Sequence, residues 1–201
     1  MKPTDILSSE HRVIEQVLDC LDKMIQTCQR EHKFDEQSAK DAVDFFRNFA
    51  DRCHHGKEEA HLFPAMEAKG FARDCGPTGV MIYEHEQGRK FVRGMAESID
   101  AAAKGDAAEQ KEFFRNAREY IDLLREHIRK EDHCLFGMAN NAFTEQDQQA
   151  LSAAFENVEA KEIGPGVHEK YLKIADDLAK RFGIAIAHGV KASGHACGCG
   201  H

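Results

Sequence analysis

Apolar residues recur at steps of three, four and seven along most of this chain. Between residues 5 and 30, Leu7, Ile14, Leu18, Leu21 and Ile25 mark one face of a helix, with Thr4 or Asp5 placed to cap its start. Residues 35–68 continue the pattern through Val43, Phe46, Phe49, Ala50 and Cys53. Pro64 is expected to kink or loosen the last turn there, and Gly70 to stop it. "CGPTG" then breaks the chain. A third helix is expected from Thr78 to Lys104, carrying Met81, Ile82, Phe91, Val92, Met95 and Ile99. After the turn "KGD", a fourth runs from about Ala107 to Asn140 with Phe113, Phe114, Tyr120, Leu123, Leu124 and Ile128. Four long helices with short connections favour antiparallel neighbours. The pattern therefore predicts an all-α chain: an up-down-up-down four-helix bundle over residues 1–142. "TEQDQQALSAAFENVE" opens with a capping signal at Thr144, and "GPGVHEKYLKIADDLAKRFG" reads as a sixth helix ending at Gly183. Residues 143–185 thus form a helical extension, and residues 186–201, Gly-, Cys- and His-rich, read as a flexible tail.

Composition narrows the class. The 201 residues are 42% hydrophobic and 31% charged, with 4 Pro and no Trp, as expected for a helix-rich globular protein. A net charge of −8 argues against a broad nucleic-acid footprint. No apolar run is long enough to span a membrane, and the N-terminus reaches charged residues too early for a signal peptide. Seven scattered Cys do not read as a disulfide framework, so a reducing cytoplasm is the expected compartment. The unusual count is His, at 12.

The histidines form a repeat. "HHGKEEAHLFPAM" from residue 54 is echoed by "HIRKEDHCLFGMA" from residue 127. His54 matches His127, Lys57 matches Lys130, and Glu58 matches Glu131. Upstream, "EHRVIE" places His11 before the first copy, and "EHEQGR" places His85 before the second. The chain is two similar hairpins, each giving a lone His and a His-x-x-x-Glu. Helical geometry puts His11 with Leu7, Ile14 and Leu18, and His85 with Met81, Ile82 and Val92. His54 shares its face with Ala50 and Glu58, and His127 with Leu123, Leu124 and Glu131. By the same rule His55 and His133 fall among charged residues and face solvent. Four inward imidazoles and two carboxylates can hold two metal ions, and burying both glutamates without a cation would be costly. A lone His on an apolar face is usually a satisfied core residue; the matched spacing of all six together favours the metal. His61 lies on the ligand face as a donor to Glu58 or a partly exposed side chain. In the tail, "HACGCGH" could take a soft metal or act as a thiol pair.

The order His, His-x-x-x-Glu, His, His-x-x-x-Glu on four helices, with "KEE..LFP" at Lys57–Pro64, resembles the hemerythrin-like family of HHE cation-binding domains over about residues 5–140. The resemblance implies a bundle holding two non-heme iron ions joined by an oxo or hydroxo group. It implies His11, His54, Glu58, His85, His127 and Glu131 as metal ligands, the glutamates bridging. Two departures from the oxygen carriers stand out. Their fifth histidine, one turn from the third-helix ligand, is replaced here by Met81 and Arg89, and Asp132 offers the carriers' five-residue spacing beside Glu131. Glu131 keeps to the His127 face and is preferred. With two imidazoles per iron, both irons would keep an exchangeable position. The expected function is then binding or sensing of O2, NO or peroxide in the cytoplasm. The alternatives are a di-iron enzyme (peroxidase, NO handling or iron-sulfur repair), iron storage or delivery, and a structural zinc bundle. The expected partner is a small diatomic molecule or peroxide rather than nucleic acid or membrane.

Overall fold

The computed structural model describes residues 1–74 and 76–187, the side chains of 161–163 excepted. The end of the tail, including "HACGCGH", lies outside the described residues. Among the described residues there are six helical rods and no strand. α1 is Pro3–Glu31. α2 is one continuous rod over residues 36–68, made of Glu36–Phe45, Phe46–His55, Glu58–Leu62 and Phe63–Ala68. α3 is Pro77–Ala103. α4 covers residues 107–142 as Ala107–Lys130, Glu131–Leu135 and Phe136–Ala142. α5 covers residues 145–163 as Glu145–Asn157 and Val158–Ile163, and α6 is Val167–Phe182.

Local chemistry explains the ends. Pro3 needs no amide donor at a helix start, and the Asp5 carboxylate accepts the Lys2 N–H at 2.8 Å. Asp35 accepts from the Ser38 N–H and Asp106 from the Ala108 N–H, while Thr144 and Asp147 cap α5 reciprocally. Gly183, with φ +68°, closes α6 in the left-handed region that glycine tolerates.

α2 and α4 share a departure from regular helix. Over Phe46–His55, Glu58–Leu62 and Glu131–Leu135 the turns widen, and amides bond five residues back. Gly56 N–H donates to the Asp51 carbonyl, Phe63 N–H to Glu58 and Phe136 N–H to Glu131. The latter two widenings begin at corresponding positions of the repeat. Pro64 and Gly137 follow them at matching places. A proline ring crowds the carbonyl one turn earlier, and a widened turn relieves that contact.

The core is split in two. On each of the first four rods, one apolar cluster lies to one side of the histidine segment and a second lies to the other. The larger contains Val17, Leu21, Phe46, Phe49, Met95, Ile99, Phe113 and Leu124. The smaller contains Leu7, Leu62, Phe63, Met81, Leu135 and Phe136. Fully burying one such side chain is worth about 1.5–3 kcal/mol, so each cluster is a substantial clamp. α1 meets α2, α2 meets α3, α3 lies along α4, and α4 returns to α1. Gly94 permits the α3–α4 approach, since a Cβ there would sit 2.7 Å from the Asn116 side chain. α5 and α6 lie against α1 and α2, where Leu151 and Phe155 join the smaller cluster and Tyr171, Ala175 and Leu178 the larger. No helix among the described residues is long and apolar enough to cross a membrane.

Candidate metal centre

Between the two apolar clusters the four rods present a buried polar layer. His11, His54, His85 and His127, with Glu58 and Glu131, are each at most 1% exposed. They converge as two groups. His11, His54, Glu58 and Glu131 bring ligand atoms within 4.8 Å of one another, and so do His55, Glu58, His85 and His127. Glu58 belongs to both groups, with one oxygen 3.7 Å from His54 Nε2 and the other 3.5 Å from His85 Nε2. Glu131 Oε2 stands 3.2 Å from His11 Nε2 and 3.3 Å from His127 Nε2, so it too faces both sides.

His55 corrects the sequence expectation. It is 4% exposed, not solvated, and its ring stacks on His85 with centroids 3.8 Å apart. The cause is the widened stretch Phe46–His55. A regular helix turns about 100° per residue, which would carry His55 away from the His54 face. A widened turn advances less per residue, so both histidines reach the interior. His133 is exposed, as expected. His61 is half-buried, its ring 6.4 Å from Phe155, and it does not hold Glu58, whose two oxygens have no hydrogen-bond partner. Asp132 turns away from the centre to accept from His11 Nδ1.

A ring of carboxylates fixes the imidazoles. Glu10 of α1 accepts from His54 Nδ1 of α2 at 2.9 Å. Glu59 of α2 accepts from His85 Nδ1 of α3 at 2.7 Å. Glu84 of α3 accepts from His127 Nδ1 of α4 at 2.9 Å. Asp132 of α4 closes the circuit on His11 Nδ1 of α1 at 2.9 Å. Each carboxylate is paired in turn with a cation: Lys57 on Glu10, Arg89 on Glu59, Lys130 on Glu84 and Arg12 on Asp132. Asp51 holds His55 Nδ1 more loosely, at 3.4 Å. A hydrogen bond at Nδ1 leaves Nε2 as the free lone pair and sets the ring's angle, which is how proteins present histidine to a metal. These four carboxylates were not picked out as orienting groups from the sequence. Their signal was available: Glu10 and Glu84 immediately precede His11 and His85, and Glu59 and Asp132 immediately follow Glu58 and Glu131.

The donors fit a cation and little else. His11 Nε2, His55 Nε2 and both oxygens of Glu58 and of Glu131 are buried without a hydrogen-bond partner. Such atoms are rare in folded proteins and costly unless something else satisfies them. A third cluster, Glu10, Cys53, Glu159 and His168, also has metal-like spacing. There the Lys57 ammonium already fills the position, 2.5 Å from both Glu10 and Glu159, so no metal is needed.

The family model for the hemerythrin HHE cation binding domain covers residues 2–139. The chain belongs to the hemerythrin HHE cation-binding family. This hemerythrin-like chain is also 22% identical over 182 residues to the uncharacterized proteins Mb2018 of Mycobacterium bovis and Rv1995 of Mycobacterium tuberculosis, spanning 90% of itself and 70% of each. No solved structure matches significantly.

The electrostatics of the hemerythrin-like centre follow from burial. Burial and then the neighbouring Glu131 push the Glu58 carboxyl well above its ordinary value. Glu131 is buried too, but the neighbouring His127 and His11 charges hold it well below. Burial drives His54 down to about 4 despite Glu10, and burial with His55 and His127 drives His85 well down. His127 resists its own burial and rises to about 9 through Glu131 and Glu84. Two carboxylates this close cannot both stay charged in an apolar layer unless cations lie between them.

Proposed function

We propose that this protein is a cytoplasmic non-heme di-iron protein that binds or senses O2, NO or peroxide. The observation that carries the reading is the pair of donor groups sharing Glu58, with orphaned imidazole nitrogens and carboxylate oxygens turned inward. A mixed nitrogen and carboxylate donor set with open positions suits iron. His11 and His54 would hold one ion and His55, His85 and His127 the other, with Glu58 and Glu131 between them. When bound, iron supplies a redox-active centre that can engage a small diatomic molecule or peroxide. The first four helices form an up-down-up-down bundle around it, a reading supported by the alternating order in which they pass the two apolar clusters.

The chain's own residues supply the rest. The carboxylate ring aims Nε2 of each histidine. Phe136 stacks on His11 and Phe63 on His85, so apolar rings back two of the imidazoles. His55 changes the donor count expected from sequence. Three imidazoles stand on one side and two on the other, so a metal held by His11 and His54 would have fewer protein donors than one held by His55, His85 and His127. That asymmetry favours binding or sensing of one small molecule at one ion. Metal analysis and a visible spectrum of untagged protein test the reading. About two irons per chain with charge-transfer bands are expected for a di-iron bundle site. A colourless zinc protein would refute it.

A further inference from the structure

A pocket of about 210 Å3 opens beside the metal-binding layer. His55 and His85 line its inner end, with Asp51, Gly88, Val92 and Phe46. Arg47, Arg89 and Arg93 line it as well, three guanidiniums against the one carboxylate of Asp51. Arg89 is engaged with Asp51, Glu59 and Glu86. Arg47 and Arg93 are exposed and make no ion pair among the described residues. Tyr120 is the fourth element. It is 2% exposed and lines the pocket, and its hydroxyl has no hydrogen-bond partner among the described residues. Burial, with Asp51 nearby, raises its pKa, so the phenol keeps its proton and remains a donor.

We propose that this pocket binds a small planar oxyanion, held by Arg47, Arg93 and the Tyr120 hydroxyl beside His55 and His85. Unpaired guanidiniums present parallel N–H groups that match two oxygens of such an anion. The Tyr120 hydroxyl, which makes no hydrogen bond among the described residues, offers the same acceptor a neutral donor from the pocket wall. The volume admits several water-sized groups, at about 30 Å3 each, which suits nitrate, bicarbonate or a short carboxylate and excludes a nucleotide. Within the function proposed above, which this inference extends, the anion is a second small molecule held beside the three-histidine side. Inorganic oxyanions and short carboxylates share this chemistry, and the test separates them.

The experiment is isothermal titration of the full-length, metal-loaded protein at constant ionic strength with nitrate, acetate and neutral acetamide, with metal content measured on the same samples. Saturable binding of an anion and none of acetamide is expected; tighter nitrate marks an inorganic ligand and tighter acetate an organic one. Arg93→Ala should weaken the anion roughly 10- to 100-fold, as for loss of a charge-assisted bond. Tyr120→Phe, which keeps the ring and removes only an unpartnered hydroxyl, should weaken it by roughly 2- to 10-fold. Metal content should stay unchanged in both variants. Equal binding of acetamide, no anion binding, or variants that bind as the parent does would overturn the proposal. Anion binding that vanishes with the metal yet ignores both substitutions would mean simple coordination, and overturns it equally. A parent protein without iron would refute the di-iron reading separately, since the metal-free chain can be titrated in the same way.

Discussion

Replacing Glu58 by Leu should stabilise the metal-free protein and destabilise the metal-loaded one. Glu58 is fully buried, neither oxygen has a hydrogen-bond partner, and Glu131 faces it across the layer. An unsatisfied buried polar group costs about 1–3 kcal/mol, and an apolar side chain of similar size removes that penalty. For a protein of this size, Tm moves about 2–4 °C per kcal/mol, so the metal-free Leu variant should melt roughly 2–12 °C above the parent. Metal at a hundredfold its Kd stabilises the folded parent by about 2.7 kcal/mol. Glu58 serves both donor groups, so the Leu variant should lose most of that increment. Calorimetric melting of both proteins, chelated and with Fe(II), reads the reversal directly. The pH dependence has a definite sign. Burial and Glu131 raise the folded-state pKa of Glu58 above the ordinary 4.5. Its contribution to metal-free stability is therefore complete below pH 4.5 and is lost as pH rises toward the raised value. The advantage of Leu should grow from acid to neutral pH. A metal-free Leu variant that melts below the parent, or one that keeps the full metal increment, would sink the argument.

Three further outcomes are expected. His55→Ala should lower metal affinity at least as much as loss of an orienting carboxylate, about 10- to 100-fold, while His133→Ala leaves metal content unchanged; competition with a chelator decides, and equal effects would put His55 outside the site. Lys57→Met should cost about 3–5 kcal/mol in denaturant unfolding, because it strands the buried Glu10 carboxylate that steers His54, and a loss under 1 kcal/mol would contradict that role. Maleimide at pH 8 should label exposed Cys134 well before Cys20 and Cys53, whose thiols burial pushes up to about 12, with peptide mass spectrometry as the readout.

Apolar spacing carries the helices, and the internal repeat carries six of the seven buried donors of the layer. Spacing of Leu7 through Ile25, and of the later apolar rows, gave each rod to within a few residues, because burial of one helical face imposes its period on the chain. The duplication made His11, His54, Glu58, His85, His127 and Glu131 visible as a set, and the structure gathers all six into one layer. Three things were left to tertiary structure. The wide turns in α2 and α4 depend on five-back hydrogen bonds, which apolar periodicity does not encode, so His55 was assigned to the wrong side. The circuit Glu10–His54, Glu59–His85, Glu84–His127 and Asp132–His11 joins residues on different helices, and their order of neighbours is fixed only by packing. The arginine-lined pocket gathers Arg47, Arg93 and Tyr120 from three helices. A periodic pattern reports which side of its own helix a residue occupies. It is silent on which neighbour that side meets, and the orientation of His11, His54, His85 and His127 depends on that neighbour.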